Sequence, residues 1–142
     1  MKYFTPYRLA TYLLLVFCAG HTGGGMFAQK SLGPEADTVF SAMKSVHFNF
    51  NGSNCTYYGF WFGFGLMTSV FMLLSAALCW WLASVEAKSW RLVRPVAWAL
   101  ILSQAANAIL SWKYFFAGPG ILATLITLLV ITGAITRTKN SV

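Results

Sequence analysis

Two histidines, His21 and His47, and a polar stripe of Ser103, Gln104, Asn107 and Ser111 stand out in this largely apolar 142-residue chain as groups able to do chemistry. Imidazoles exchange protons near neutral pH and ligate haem iron or a transition metal. Amides and hydroxyls inside an apolar helix face a bundle interior or a cavity, where they hold neighbouring helices or a polar ligand. Ser103–Asn107 and Asn107–Ser111 are four residues apart and Gln104 is three before Asn107, so the stripe shares one helix face. Tyr58 and Trp61 lie in an aromatic-rich stretch, Tyr57 to Gly65, that can line such a site. The two histidines come with no CxxC, no clustered carboxylate and no GxSxG, HExxH or P-loop pattern, so hydrolytic, thiolate-zinc and nucleotide chemistry find no support.

The elements that must position these residues are four long apolar runs, roughly Leu9–Phe27, Tyr57–Ser84, Leu92–Trp112 and Phe115–Thr136. They contain no Asp, Glu or Lys, and Arg94, near the start of the third, is their only Arg. A charge at the centre of a spanning helix costs about 2.5–3.5 kcal/mol, so runs of this kind are what a bilayer selects. Hydrophobic residues make up 58% of the chain and charged ones 9%. A soluble domain carries about 25% charged residues, which leaves no water-exposed globular surface here.

The net charge of +7 is distributed by topology. Lys2 and Arg8 precede the first run, Lys88, Arg91 and Arg94 fall between the second and third, and Arg137 and Lys139 follow the fourth; Lys30, Lys44 and Lys113 lie on the other side. This alternation predicts four spans with both termini cytoplasmic. The basic residues then act as topology signals and anionic-lipid contacts, not as a nucleic-acid face. A signal peptide cut near Ala28 is the competing reading of the first run. Its apolar stretch is longer than a usual signal core, and Met26 suits the cut poorly.

The long connection, residues 28–56, is an exported cap. Gly33-Pro34-Glu35 resembles a helix start, and Val39, Met43 and Val46 recur at helical spacing, so a short amphipathic helix of about three turns is predicted to cap the bundle or lie in the interface. Glu35 and Asp37 cap that helix. Lys30 and Lys44 are balanced by these two acids. A turn-rich stretch follows, with Asn51-Gly52-Ser53 and Asn54-Cys55-Thr56 both matching the glycosylation acceptor pattern. Gly20 and Gly24 form a G-x-x-x-G pair that permits close helix approach, or else the glycines open space beside His21. Cys18 and Cys79 lie in apolar runs as packing residues and would pair only if they touched. Gly118-Pro119-Gly120 marks a kink or a late helix start, closing spans three and four into a tight hairpin.

The segments Gly20-His21-Thr22, Val39 to Phe48, Tyr58 to Leu66 and Trp112 to Phe116 resemble the recurring segments of a family of small four-span bacterial membrane proteins with no assigned activity. The resemblance covers nearly the whole chain. It implies a bacterial inner membrane, where the glycosylation patterns would be idle, and it implies no reaction. In size and layout the chain also resembles small four-span quinone-associated proteins of the DoxX type, with no motif that carries residues over.

The chain is thus expected to be all-α, a single membrane domain over residues 1–142: a four-transmembrane-helix antiparallel bundle with an amphipathic helix in its first exported loop. Its expected function is non-enzymatic, binding a lipid, quinone or other hydrophobic ligand between the helices or serving as an accessory subunit. The expected ligand-binding residues are His21, His47, Gln104 and Asn107, lined by Tyr58 and Trp61. A haem- or quinone-linked oxidoreductase subunit using His21 and His47, also the metal alternative, is a second expectation. A structural subunit of a larger membrane complex, or a homo-oligomer packed through its glycine faces, is a third.

Overall fold

The computed structural model describes residues 5–28 and 30–139; Lys2 lies outside them. The chain is a multi-pass membrane protein: four helices are long and apolar enough to cross a bilayer, Pro6–Phe27, Tyr57–Ser84, Ala87–Tyr114 and Ala117–Lys139. The shortest has 22 residues, and about 20 are needed to cross the hydrocarbon core.

Local chemistry sets where these helices begin. Helix α1, Pro6–Ala19, starts with Thr5 as its cap: Thr5 Oγ1 accepts the Arg8 N–H at 3.3 Å, and Pro6 fills the first position, where no N–H is needed. It runs on into π-helical turns over Gly20–Phe27. Helix α2 is Pro34–Ser45, with Pro again at its start and Glu35 and Asp37 in its first turn. Helix α3, Tyr57–Ser84, is capped by Thr56, whose Oγ1 accepts the Gly59 N–H at 3.0 Å. A single 3-10 turn, Ala87–Ser89, leads into α4, Trp90–Tyr114, and two residues separate that helix from α5, Ala117–Lys139. Gly118-Pro119-Gly120 therefore falls in the first turn of a helix and makes no kink.

Three expectations need correction. The fold is not wholly α-helical. The cap adds a two-stranded antiparallel hairpin, β1 His47–Phe50 and β2 Ser53–Thr56, with Phe50 paired to Ser53. Asn51 and Gly52 turn it with φ of 51° and 87°, as a two-residue hairpin loop requires. Next, the G-x-x-x-G pair does not pack: a Cβ placed on Gly20 or on Gly24 meets nothing within 4 Å. Finally, the polar stripe of α4 shares one face but is buried unevenly. Gln104 and Ser111 are buried, Asn107 is half-buried and Ser103 is exposed. The helix advances about 100° per residue, so Ser111 lies about 20° from Gln104, Asn107 about 60° and Ser103 about 100°. Burial falls off in that order.

The chain divides into two compact units. The first takes residues up to 17 and from 72 onward, that is, most of α1, the second half of α3, and α4 and α5. Lipid is as apolar as leucine, so helices in a bilayer gain little by hiding apolar surface and associate through close packing and hydrogen bonds. Ala10, Ala97 and Ala123 are fully buried, as close packing requires, and so are the larger Leu82, Ile126 and Val130. The Tyr7 ring lies against Gly133, where a Cβ would sit 2.8 Å from it, and its centroid is 6.3 Å from that of Trp90. Thr11 Oγ1 donates to the Tyr7 and Ala76 carbonyls at 3.0 and 3.3 Å. Trp90, at the start of α4, donates to Thr138 near the end of α5 at 3.1 Å. Trp112, near the end of α4, donates to Thr124 near the start of α5 at 3.0 Å. These two helices therefore run antiparallel. Arg137 closes the end of α3, its guanidinium donating to the Val85 carbonyl at 2.8 Å and to the Ala83 carbonyl.

The second unit takes residues 18–71: the π-helical turns, α2, the hairpin and the first half of α3. Its packing is aromatic. Phe27 meets Phe62 edge-on at 5.5 Å, Phe40 meets Trp61 at 5.4 Å, and the hairpin lays Phe48 on Tyr57 at 4.6 Å and Phe50 on Phe60 at 5.6 Å.

Candidate functional site

The residues predicted to form one site are divided between the two units. Gln104 and Asn107 belong to the first unit. Gln104 Nε2 donates to Ser75 Oγ of α3 at 3.0 Å while its Oε1 is buried without a partner among the described residues, and Asn107 makes no side-chain hydrogen bond among them. The other four belong to the second unit.

Within that unit the two histidines have backbone partners. A carbonyl can only accept, so His21 Nε2 carries a proton and donates to the Gly65 carbonyl at 3.0 Å. His47 opens the hairpin, is exposed, and donates from Nδ1 to the Ser45 carbonyl at 3.0 Å. Around His21 the contacts chain together. Thr22 and Ser69 hydroxyls lie 2.7 Å apart, Ser69 Oγ donates to the same Gly65 carbonyl at 3.3 Å, and the Cys18 thiol donates to the Ser69 carbonyl at 3.6 Å. Met26 presses its sulfur on the Gly65 Cα, where no Cβ would fit. These polar groups fasten the π-helical turns to α3. All three cysteines are free thiols, and among the described residues no three His, Cys, Asp or Glu side chains converge as metal ligands.

Of Tyr58 and Trp61, Trp61 alone lines a cleft, and Tyr58 packs against it. Trp61 forms one wall of a cleft of about 890 Å³, within the range of small-molecule sites. Phe40 of α2 stands edge-on to it, and Tyr58 lies 5.6 Å from it, stacked on Phe62 at 5.8 Å. The Gly24 and Gly25 backbone forms another wall, and Lys30, Asp37 and Lys44 bring charge to the rim. A Cβ at Gly24 or Gly25 would meet nothing within 4 Å.

The charges are not self-cancelling. Asp37 is occupied: it accepts the Ser31 hydroxyl at 2.5 Å and the Leu32 N–H at 3.4 Å, tying the segment before α2 to its first turn. The Lys44 ammonium lies 4.7 Å from the Tyr58 ring centre. Among the described residues neither Lys30 nor Lys44 forms an ion pair with a carboxylate; Glu35 and Asp37 balance them in number only. Sequence reasoning missed these lysines as site residues, along with Phe40. One signal was available: Phe40 and Lys44 are four apart on α2 and so share a face. Set against known protein families, curated proteins and solved structures, the chain matches none.

Proposed function

We propose that this chain is a non-enzymatic membrane protein of the bacterial inner membrane that holds an amphiphile in the cleft of its cap, residues 28–56. The observation that carries the reading is the cleft itself: an aromatic wall of Phe40 and Trp61 faced by two lysines without carboxylate partners. An ammonium has three donors and no acceptor, so the head group must supply acceptors. A carboxylate or phosphate of an acidic lipid does so, and so do the carbonyls of a quinone. The aromatic wall takes the apolar part.

The wider arrangement belongs to the same reading. The four spans form an antiparallel bundle with both termini cytoplasmic, supported by the basic residues at alternating ends. Helix α2 serves as an amphipathic lid in the outer interface, supported by Phe40 packing on Trp61 while Val39 is 59% exposed beside it.

The test is extraction of the full-length protein in mild detergent, with mass spectrometry of what comes with it and an absorbance spectrum. The expected result is a co-purified acidic lipid or quinone that is lost in Trp61→Ala and in the Lys30→Gln/Lys44→Gln pair. Retention in both variants with loss in Gln104→Leu would move the site to the first unit. A haem Soret band abolished by His21→Ala would replace this reading with the oxidoreductase one, and a tightly held second polypeptide with no small molecule would replace it with the structural one.

A further inference from the structure

A second groove lies in the first unit, between α4 and α5 at the ends that carry Arg94 and Lys139. It encloses about 290 Å³, and its walls are Trp98 and Ile101 of α4 and Ile131 and Ile135 of α5. Two cations at the mouth of an apolar groove need a counterion. The whole chain has only three acidic residues. Glu35 and Asp37 belong to the other unit, and Glu86 is taken by Lys88 at 2.9 Å. Of the other nearby cations, Arg8 and Arg137 have partners of their own, and Arg91 is exposed and does not line the groove. Arg8 lies 3.6 Å over the Trp80 ring, and Arg137 caps the α3 carbonyls. Among the described residues nothing on this unit neutralises Arg94 or Lys139.

We infer that this groove binds one anionic phospholipid from the leaflet at that end, its phosphate held by Arg94 and Lys139 and the upper part of an acyl chain laid along Trp98, Ile101, Ile131 and Ile135. The combination decides the ligand class. A soluble anion would satisfy the cations and leave the groove bare, while a neutral lipid would fill the groove and leave the cations bare. Trp98 is 51% exposed and stands on the groove wall, so it reports occupancy directly. The site shares no residue with the cap cleft and does not depend on that reading.

The full-length protein in detergent micelles is titrated with phosphatidylglycerol brominated on its acyl chain, with brominated phosphatidylcholine as the neutral reference. Quenching of Trp98 is read as the difference between the wild type and Trp98→Phe. The expected half-saturating mole fraction is at least tenfold lower for the anionic lipid. Each basic residue near a lipid surface contributes about fivefold in affinity, so Arg94→Gln and Lys139→Gln should each weaken it about fivefold, and together about thirtyfold. Ile131→Trp keeps both cations and fills the groove, and should abolish the quenching. The wild type read in 1 M salt needs no variant: the screening length there is about 3 Å, and the preference for the anionic lipid should largely vanish. Equal quenching by the two lipids, an unchanged double variant, or a preference that survives 1 M salt overturns the assignment. Displacement by millimolar glycerol phosphate overturns it in favour of a free-anion site. Loss of quenching in Lys30→Gln/Lys44→Gln overturns it in favour of the cap.

Discussion

His21 donates from Nε2 to the carbonyl oxygen of Gly65 at 3.0 Å, and this one contact fixes the tautomer of the only histidine inside a membrane-spanning helix. The same oxygen takes the Ser69 hydroxyl, and Met26 fills the space above. The π-helical turns and α3 are thereby fastened by hydrogen bonds where a bilayer offers little hydrophobic drive.

A fastening bond of this kind has a modest cost when removed. His21→Leu should destabilise the protein by about 0.5–1.5 kcal/mol, the net worth of one hydrogen bond. His47→Leu should cost less, since its ring is exposed and its partner, two residues back, stays reachable by water. Reversible unfolding in mixed micelles of dodecyl sulfate measures both. A larger loss at His47 would contradict this assignment of roles.

The glycines reverse the expectation from their spacing. Gly133→Leu should destabilise by about 1–3 kcal/mol or more, the usual range for overpacking, because the Tyr7 ring it would strike is 1% exposed and cannot retreat. Gly20→Ala and Gly23→Ala should be near neutral, since nothing lies within 4 Å of either. Thermal denaturation followed by size-exclusion chromatography distinguishes the two groups.

The contrast between Gly20 and Gly133 shows which parts of this fold are legible in a sequence. The spans were legible because a bilayer imposes length and apolarity on each helix separately, whatever the neighbours. The start of α2 was legible because Gly33-Pro34-Glu35 is local chemistry. The hairpin had a signal in Asn51-Gly52 flanked by Phe48 and Phe50, but each strand has four residues, two of them polar in the first and three in the second, so the stretch reads as a turn. Which glycine meets an aromatic ring depends on helix pairing, and neither G-x-x-x-G nor its absence specifies that. The partner of His21 is a backbone carbonyl, which leaves no mark in the sequence. The two cap lysines were seen as charges near acids. Only the fold shows Asp37 spent on Ser31 and Leu32.

Arg137 is distinguished from the other basic residues by its fork. It donates to the Val85 carbonyl at 2.8 Å and to Ala83, two groups that the end of α3 leaves without helical partners. A lysine keeps the charge and cannot reproduce the two parallel bonds. Arg137→Lys should therefore lower stability by about 1–2 kcal/mol while leaving membrane orientation unchanged. Micelle unfolding reads the first effect and protease accessibility in intact cells the second. An unchanged stability in Arg137→Lys would show that the charge, not the fork, is what matters at this position.

Native thiols report the proposed orientation. Cys18 and Cys79 are buried and Cys55, on the second strand of the hairpin, is partly exposed. In intact cells an impermeant maleimide should label the wild type at Cys55 alone. In a Cys55→Ser background, a cysteine placed by Lys88→Cys or Lys139→Cys should label only after the membrane is opened. Labelling of those two in intact cells, with Cys55 protected, would invert the topology.

The strap in front of α2 offers a measurement that needs no ligand. Asp37 accepts the Ser31 hydroxyl at 2.5 Å and the Leu32 N–H at 3.4 Å, and Lys30, on the cleft rim, is one residue further back. A hydrogen bond to a charged group is worth about 1.5–3 kcal/mol when shielded, and exposure to water lowers this one to about 1 kcal/mol. Asp37→Ala should thus release the Leu32 amide, raising its hydrogen-exchange rate about fivefold. Amides in the middle of α3 should exchange as before, because their bonds lie within that helix. Since Lys30 rides on the strap, the same variant should also weaken retention of the amphiphile, and Asp37→Asn, which keeps an acceptor for Leu32, should do so less. An unchanged Leu32 amide in Asp37→Ala would mean that the carboxylate does not order this segment, and Asp37 would then act in the cleft only as a charge.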